Sequence, residues 1–260
     1  MAVTVELVRC LEPVRDLYRR PLGFERFQAY LDLVRAGTGT EALPLSQLNP
    51  MAKPHALEYV EALLAFDAER VASSAAAQAG AKLTDADDAL RVIVVPMDDA
   101  MGGWTNRAFA EFSHRYERKY EVPRGWATVV VWTSETPTPQ LVAQRTFETV
   151  YRTVDERRRG AVRTLREILD REGRTMRFAE HQRLYDDQTI RSIRRKLEPL
   201  LDSHAAPIVF AALYGDEIAA SLGYPPLGIP ERGGYELALA GAAKAEKGSL
   251  EGNVAARSRK

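Results

Sequence analysis

Residues 91–107, RVIVVPMDDAMGGWTNR, constrain this chain more than any other stretch. The run 91–96, rich in β-branched residues, reads as a buried strand. It ends in two carboxylates, Asp98 and Asp99, passes through a glycine pair and opens a helix over about 105–120. Residues 127–132 (ATVVVW) repeat the pattern and lead to Glu135. A strand, a helix and a second strand make a βαβ unit, whose strands are normally parallel. Residues 208–214 (IVFAALY) are apolar without a period. Their length and the flanking Pro207 and Gly215 lean toward a third strand.

Helical periodicity covers most of the rest. One helix is expected over 24–35, up to the breaker Gly37-Thr38-Gly39. Residues 43–54 carry three prolines and are expected to be irregular or extended. Leu57, Val60, Leu64, Ala68 and Val71 form one stripe, so a long helix should run to a stop at Gly80. Its alanine-rich end, 74–82, has little to pack. Thr138-Pro139 is a helix start, with a cap residue followed by proline at the first helical position. That helix should be interrupted at Gly160 and resume to Gly173, and a further helix should span 188–202. The expected fold is α/β: a small, mainly parallel sheet of two or three strands surrounded by many helices, helix-rich overall. Along the chain this gives an N-terminal helical segment at 1–89, an α/β core at 90–240 and a flexible tail at 241–260, in one compact globular unit.

Composition narrows the function classes. Lys plus Arg and Asp plus Glu number 36 each, so the formal net charge is zero. A global attraction to nucleic acid or to anionic lipid therefore has no support. The single cysteine, Cys10, excludes an internal disulfide and a multi-cysteine metal site. It reads as buried and inert. Charge appears too early for a signal-peptide apolar region, and no run approaches a membrane span. The expectation is a cytoplasmic protein with no nucleic-acid or membrane partner.

Parallel strands place their carboxyl ends on one edge, and open α/β sheets bind ligands there. Asp98, Asp99 and Glu135 fall on that edge, with Asp216 and Glu217 if 208–214 is a strand. Such carboxylates act as acid and base, or recruit a hard cation such as Mg²⁺ through Asp98 and Asp99, which then clamps a phosphoryl group or activates a water. The plainer alternative makes them helix caps and solvated turn residues. Gly102, Gly103, Thr105, Asn106 and Arg107 form a flexible turn into a helix, suited to an anionic group but matching neither the dinucleotide fingerprint nor the P-loop. The plainer alternative there is a tight connection with Thr105 or Asn106 as the cap. The proline-stiffened segment 49–55, NPMAKPH, would bring Lys53 and His55 to the site, or leave both solvated at a helix entrance.

Other constellations are weaker. Glu111 and His114 have Glu-x-x-His spacing, but no second copy exists, so an exposed pair on a polar helix face is expected. Ser134 lacks the nucleophile elbow of a serine hydrolase. The basic runs 157–159 and 194–196 lie beside acids and read as solvated faces. The resulting expectation is an enzyme acting on a small phosphorylated or carboxylated molecule at an acidic strand-end site. The competing expectation is a non-catalytic helical assembly protein, as a homodimer.

Overall fold

The computed structural model describes residues 3–35, 42–84, 89–101, 106–117 and 125–243. Within them the chain runs β1 (Thr4–Leu7), α1 (Leu11–Tyr18), α2 (Phe24–Arg35), α3 (Pro54–Ala65), α4 (Ala68–Lys82), β2 (Ala89–Met97) and α5 (Arg107–Phe112). A π-helical turn, Ser113–Glu117, continues α5. Then come β3 (Trp126–Trp132), α6 (Pro139–Arg159), α7 (Leu165–Phe178), α8 (Asp187–Leu197), the 3₁₀ turn Glu198–Leu200, α9 (Ala206–Tyr214), α10 (Asp216–Ser221) and a last helix, α11, at 233–243. None of the described helices is long and apolar enough to cross a membrane. Two compact units divide the chain, Met1–Val154 and Asp155–Lys260.

The first unit carries the sheet. Its order is β1-β2-β3 and both pairings are parallel, so Leu7, Met97 and Trp132 end on one edge. β2 is central, and its side chains from Val92 to Met97 are all buried. That accounts for an apolar run with no alternation. Pro96 has no N–H to give a neighbour, and it lies beyond Val92, the last residue that β1 pairs with. β1 itself, TVEL, is only half-buried and too short to announce itself in the sequence.

Two helices stand where one long helix is expected. The chain breaks at Asp67, whose backbone is left-handed (φ 53°) and whose carboxylate accepts from Arg70 N to start α4. The alanines at 75, 76 and 79, expected to pack little, are buried, as is Ala72. Small side chains let α4 lie close on the sheet edge. Gly80 is the tightest point rather than a stop, since a Cβ there would stand 2.5 Å from Val3 O. Glu69, 2 % exposed, accepts from Cys10 N at 2.6 Å and Leu11 N at 3.0 Å. A carboxylate 58 residues away thus caps α1 at its positive end. The Cys10 thiol donates to Val94 O at 3.1 Å, and burial pushes its pKa up, which fits an inert cysteine.

α6 begins in the first unit at Pro139, with Thr138 Oγ1 accepting from Leu141 N, and its last residues, up to Arg159 ahead of Gly160 (φ 82°), belong to the second. The second unit is helical in its described residues. Gly173 lies inside α7 rather than at its end. A Cβ there would meet Ala238 O at 2.4 Å, so glycine lets α7 and α11 touch. Asp186 caps α8 by accepting from Thr189 N. Residues 206–214 form helix α9, not a third strand, and six consecutive residues, Val209 to Tyr214, are buried. A helix buried on all sides has no apolar period to display. Pro207 sits in its first turn, where proline begins helices.

Replacing Glu69 by Ala removes the shared acceptor of two buried N–H groups. The expected loss is about 2 kcal/mol of unfolding free energy, with Glu69→Gln losing less because it keeps an acceptor. Equal stability of Glu69→Ala and the unaltered chain in urea unfolding would contradict this role.

Candidate active site at the carboxyl edge of the sheet

Past Met97 the chain leaves β2 with Asp98, which is 3 % exposed. A carboxylate so deep must be fed by donors. Asn49 Nδ2 donates to Oδ2 at 2.8 Å, and His55 Nε2 lies 2.6 Å from Oδ1. Asn49 is itself fixed, since its Oδ1 accepts from Met51 N and its backbone carbonyl from Tyr18 OH. The proline-rich segment is therefore a shaped support. His55 is largely buried rather than solvated at a helix entrance, its side chain being 15 % exposed. Because a carboxylate faces Nε2, that nitrogen carries a proton and donates it. The other ring nitrogen, Nδ1, is buried and has no hydrogen-bond partner.

Asp99 faces the end of β3. It accepts from Ser134 N at 2.9 Å, Ser134 Oγ at 2.6 Å and Thr133 Oγ1 at 3.1 Å. Thr133 Oγ1 also lies 3.4 Å from Asp98 Oδ1 and accepts from Asp99 N. One threonine hydroxyl thus stitches the two strand ends together. Lys53 Nζ donates to Met101 O at 2.7 Å, and Met101 holds a left-handed backbone (φ 52°). Gly102, Gly103 and Thr105 lie outside the described residues. Asn106 caps α5 by accepting from Phe109 N at 3.0 Å.

Beyond β3 a chain of alternating charges closes the edge. Glu135 Oε1 accepts from Arg107 Nη2 at 2.6 Å and from Arg145 Nη2 at 2.9 Å. Arg107 also reaches Glu111 (3.2 Å), and Arg145 reaches Glu148 (3.5 Å). Burial alone would raise the Glu111 carboxyl, but Arg115, Arg145 and Arg107 hold it down to about 2. Arg145 stays firmly charged: burial opposes its charge, and Glu148, Glu111 and Glu135 more than restore it. Glu135 Oε2, by contrast, is buried with no partner. Tyr59, one helical turn past His55 on α3, is 6 % exposed and its hydroxyl also has no partner. Burial first, then Glu135 and Asp99, raise the Tyr59 pKa, so the phenol keeps its proton.

The structure thus brings together Asp98, Asp99, Glu135, Arg107, Lys53 and His55 from the sequence expectation. It adds Asn49, Tyr59, Thr133 and Arg145. Asp216 and Glu217 do not belong to the edge, because no strand precedes them. Asp216 instead accepts from Leu227 N, Gly228 N and Ile229 N and holds a loop, while Glu217 is exposed in α10. Glu111 and His114 are not an exposed pair either. Glu111 is 8 % exposed. His114 Nδ1 accepts from Gln47 Nε2 at 2.6 Å, which needs a neutral ring. Among the described residues no group of three or more His, Cys, Asp or Glu side chains is arranged to hold a metal ion. The oxygens of Asp98 and Asp99 are already engaged by protein donors.

The edge of a parallel sheet in a helix-rich α/β unit, lined by a histidine–carboxylate pair and arginines, defines the class of site. No protein-family model matches the sequence, and no curated protein or solved structure is significantly similar to it.

Acid should loosen this edge in two stages. Burial, with Arg115 and Arg152 nearby, lowers His114 from an ordinary 6.5 to about 4. The unfolded chain then binds the extra proton first, so stability is full above pH 6.5 and falls as pH drops toward 4. Glu111 adds stability that is full above about 4.5 and is lost toward pH 2. Its shift corresponds to on the order of 3 kcal/mol. His114→Asn keeps an acceptor for Gln47 but cannot take up the proton. It should flatten the limb between pH 6.5 and 4 in unfolding titrations, and an unchanged limb would contradict the assignment.

Proposed function

We propose that this edge is the active site of an enzyme that moves a proton on a small anionic molecule, phosphorylated or carboxylated. The observation that carries the reading is the His55–Asp98 pair. A buried carboxylate 2.6 Å from Nε2 holds the imidazole in one tautomer and leaves the Nδ1 lone pair buried and unused. A general base needs a basic atom fixed in place and shielded from water. Asp98 acts through His55, as a positioning group. Arg107, with a side chain 31 % exposed, is the more accessible of the two guanidiniums on Glu135 and supports capture of an anion. Asp99, tied to Ser134 and Thr133, shapes the turn that carries Asp98. With both aspartates spent on hydrogen bonds, the reading does not call on Mg²⁺.

The test is turnover. The purified chain is incubated with a library of phosphorylated and carboxylated metabolites, and their consumption is followed by mass spectrometry. At least one compound should be consumed, and at least a hundredfold more slowly by a folded His55→Gln variant, the loss typical of a missing general base. Gln retains an N–H donor for Asp98, so a folding defect is not expected. Failure to consume any compound, or consumption that His55→Gln leaves unchanged, would contradict the proposal.

A further inference from the structure

Most buried polar atoms in a folded protein have a partner, and each exception costs free energy. At the carboxyl edge three side chains are exceptions: His55 at Nδ1, Tyr59 at its hydroxyl and Glu135 at Oε2. Other unpartnered atoms lie elsewhere. Trp126 Nε1 and Thr128 Oγ1 are near the opposite, amino end of β3, and Arg26 Nε is on α2. Tyr59 is more than nine-tenths buried. Its phenol shares the His55 face of α3 and senses the charges of Glu135, Asp99, Arg107 and Arg145. Glu135 spends one oxygen on two arginines, at 2.6 and 2.9 Å, and keeps the other empty.

Resting on the reading of an acid–base site for a small anion, we infer that Tyr59 and Glu135 form a subsite for a hydroxyl group of that molecule, whose anionic group is held by Arg107. The polarity of the two unpartnered atoms selects the group. Tyr59 offers a proton, because burial among carboxylates keeps its phenol protonated. Glu135 Oε2 offers a lone pair. A hydroxyl accepts from the first while donating to the second. An ammonium only donates and would leave Tyr59 without an acceptor, and a methyl group would leave both atoms unsatisfied. The ligand class is a hydroxylated small anion, either a hydroxy acid or a phosphorylated alcohol that keeps one free hydroxyl.

Matched probes separate the possibilities by calorimetric titration. Glycolate is compared with acetate and glycine, and 2-hydroxyethyl phosphate with ethyl phosphate and 2-aminoethyl phosphate. Whichever anion series the site takes, its hydroxylated member should bind at least tenfold more tightly than the member without the hydroxyl. A site built to hydrogen-bond a hydroxyl rejects the analogue lacking it by large factors. Tyr59→Phe should abolish that preference without lowering the melting temperature, because it removes an unsatisfied hydroxyl from the interior. Glu135→Gln should weaken it. Equal binding within a series, a preference for the amine, or a preference that survives Tyr59→Phe would overturn the hydroxyl subsite and leave the acid–base reading standing. Binding of none of the six probes would overturn both.

Discussion

Asp98 is the charge on which the edge of the sheet depends. A carboxylate 3 % exposed is unfavourable unless donors replace the water it has lost. Those donors come from separate parts of the chain: Asn49 before α3 and His55 in the first turn of α3. Satisfying the charge therefore fixes the proline-rich segment and the entry of α3 against the end of β2, while Asp99 ties that end to β3 through Thr133 and Ser134. The same requirement fixes the tautomer of His55.

Around that centre the charges alternate. Glu111, Arg107, Glu135, Arg145 and Glu148 form a chain in which each shared carboxylate lies between guanidiniums. Such a network keeps Glu111 and Arg145 ionised despite burial. Glu135 Oε2 and the Tyr59 hydroxyl are both buried without a hydrogen-bond partner. Unsatisfied polar atoms reduce stability, and a fold retains them most readily where a ligand completes the set. The second unit uses the same chemistry for structure alone: Arg171, 2 % exposed, pairs with buried Asp155 and donates to Gly160 O.

The strands that build the edge are legible because a parallel strand covered on both faces is a largely continuous apolar run, and the expected strands 91–96 and 127–132 are such runs. The same signature misleads at 208–214, where a helix buried all round also lacks a period. Pro207 was the better indicator, as a helix-start residue rather than a strand flank. β1 is short and half polar, so nothing in its four residues stands out. Asp98 and His55 were each visible as chemistry-bearing residues, but they lie 43 positions apart and only the fold pairs them. Tyr59 sat in a helical sequence and Arg145 in a polar helix, with no local pattern to separate them from packing and surface residues. Glu111 and His114 carry no apolar signal, and only the fold brings Arg107 and Arg115 to the one and Gln47 to the other.

The central claim is that Asp98 fixes His55 with its proton on Nε2 and its lone pair on Nδ1. Long-range ¹H–¹⁵N NMR of the imidazole reads this directly. The predicted result is a neutral ring protonated at Nε2, with that proton downfield and slow to exchange, and with both properties lost in Asp98→Asn. A proton resident on Nδ1, or an Nε2 signal indifferent to Asp98→Asn, would contradict the account.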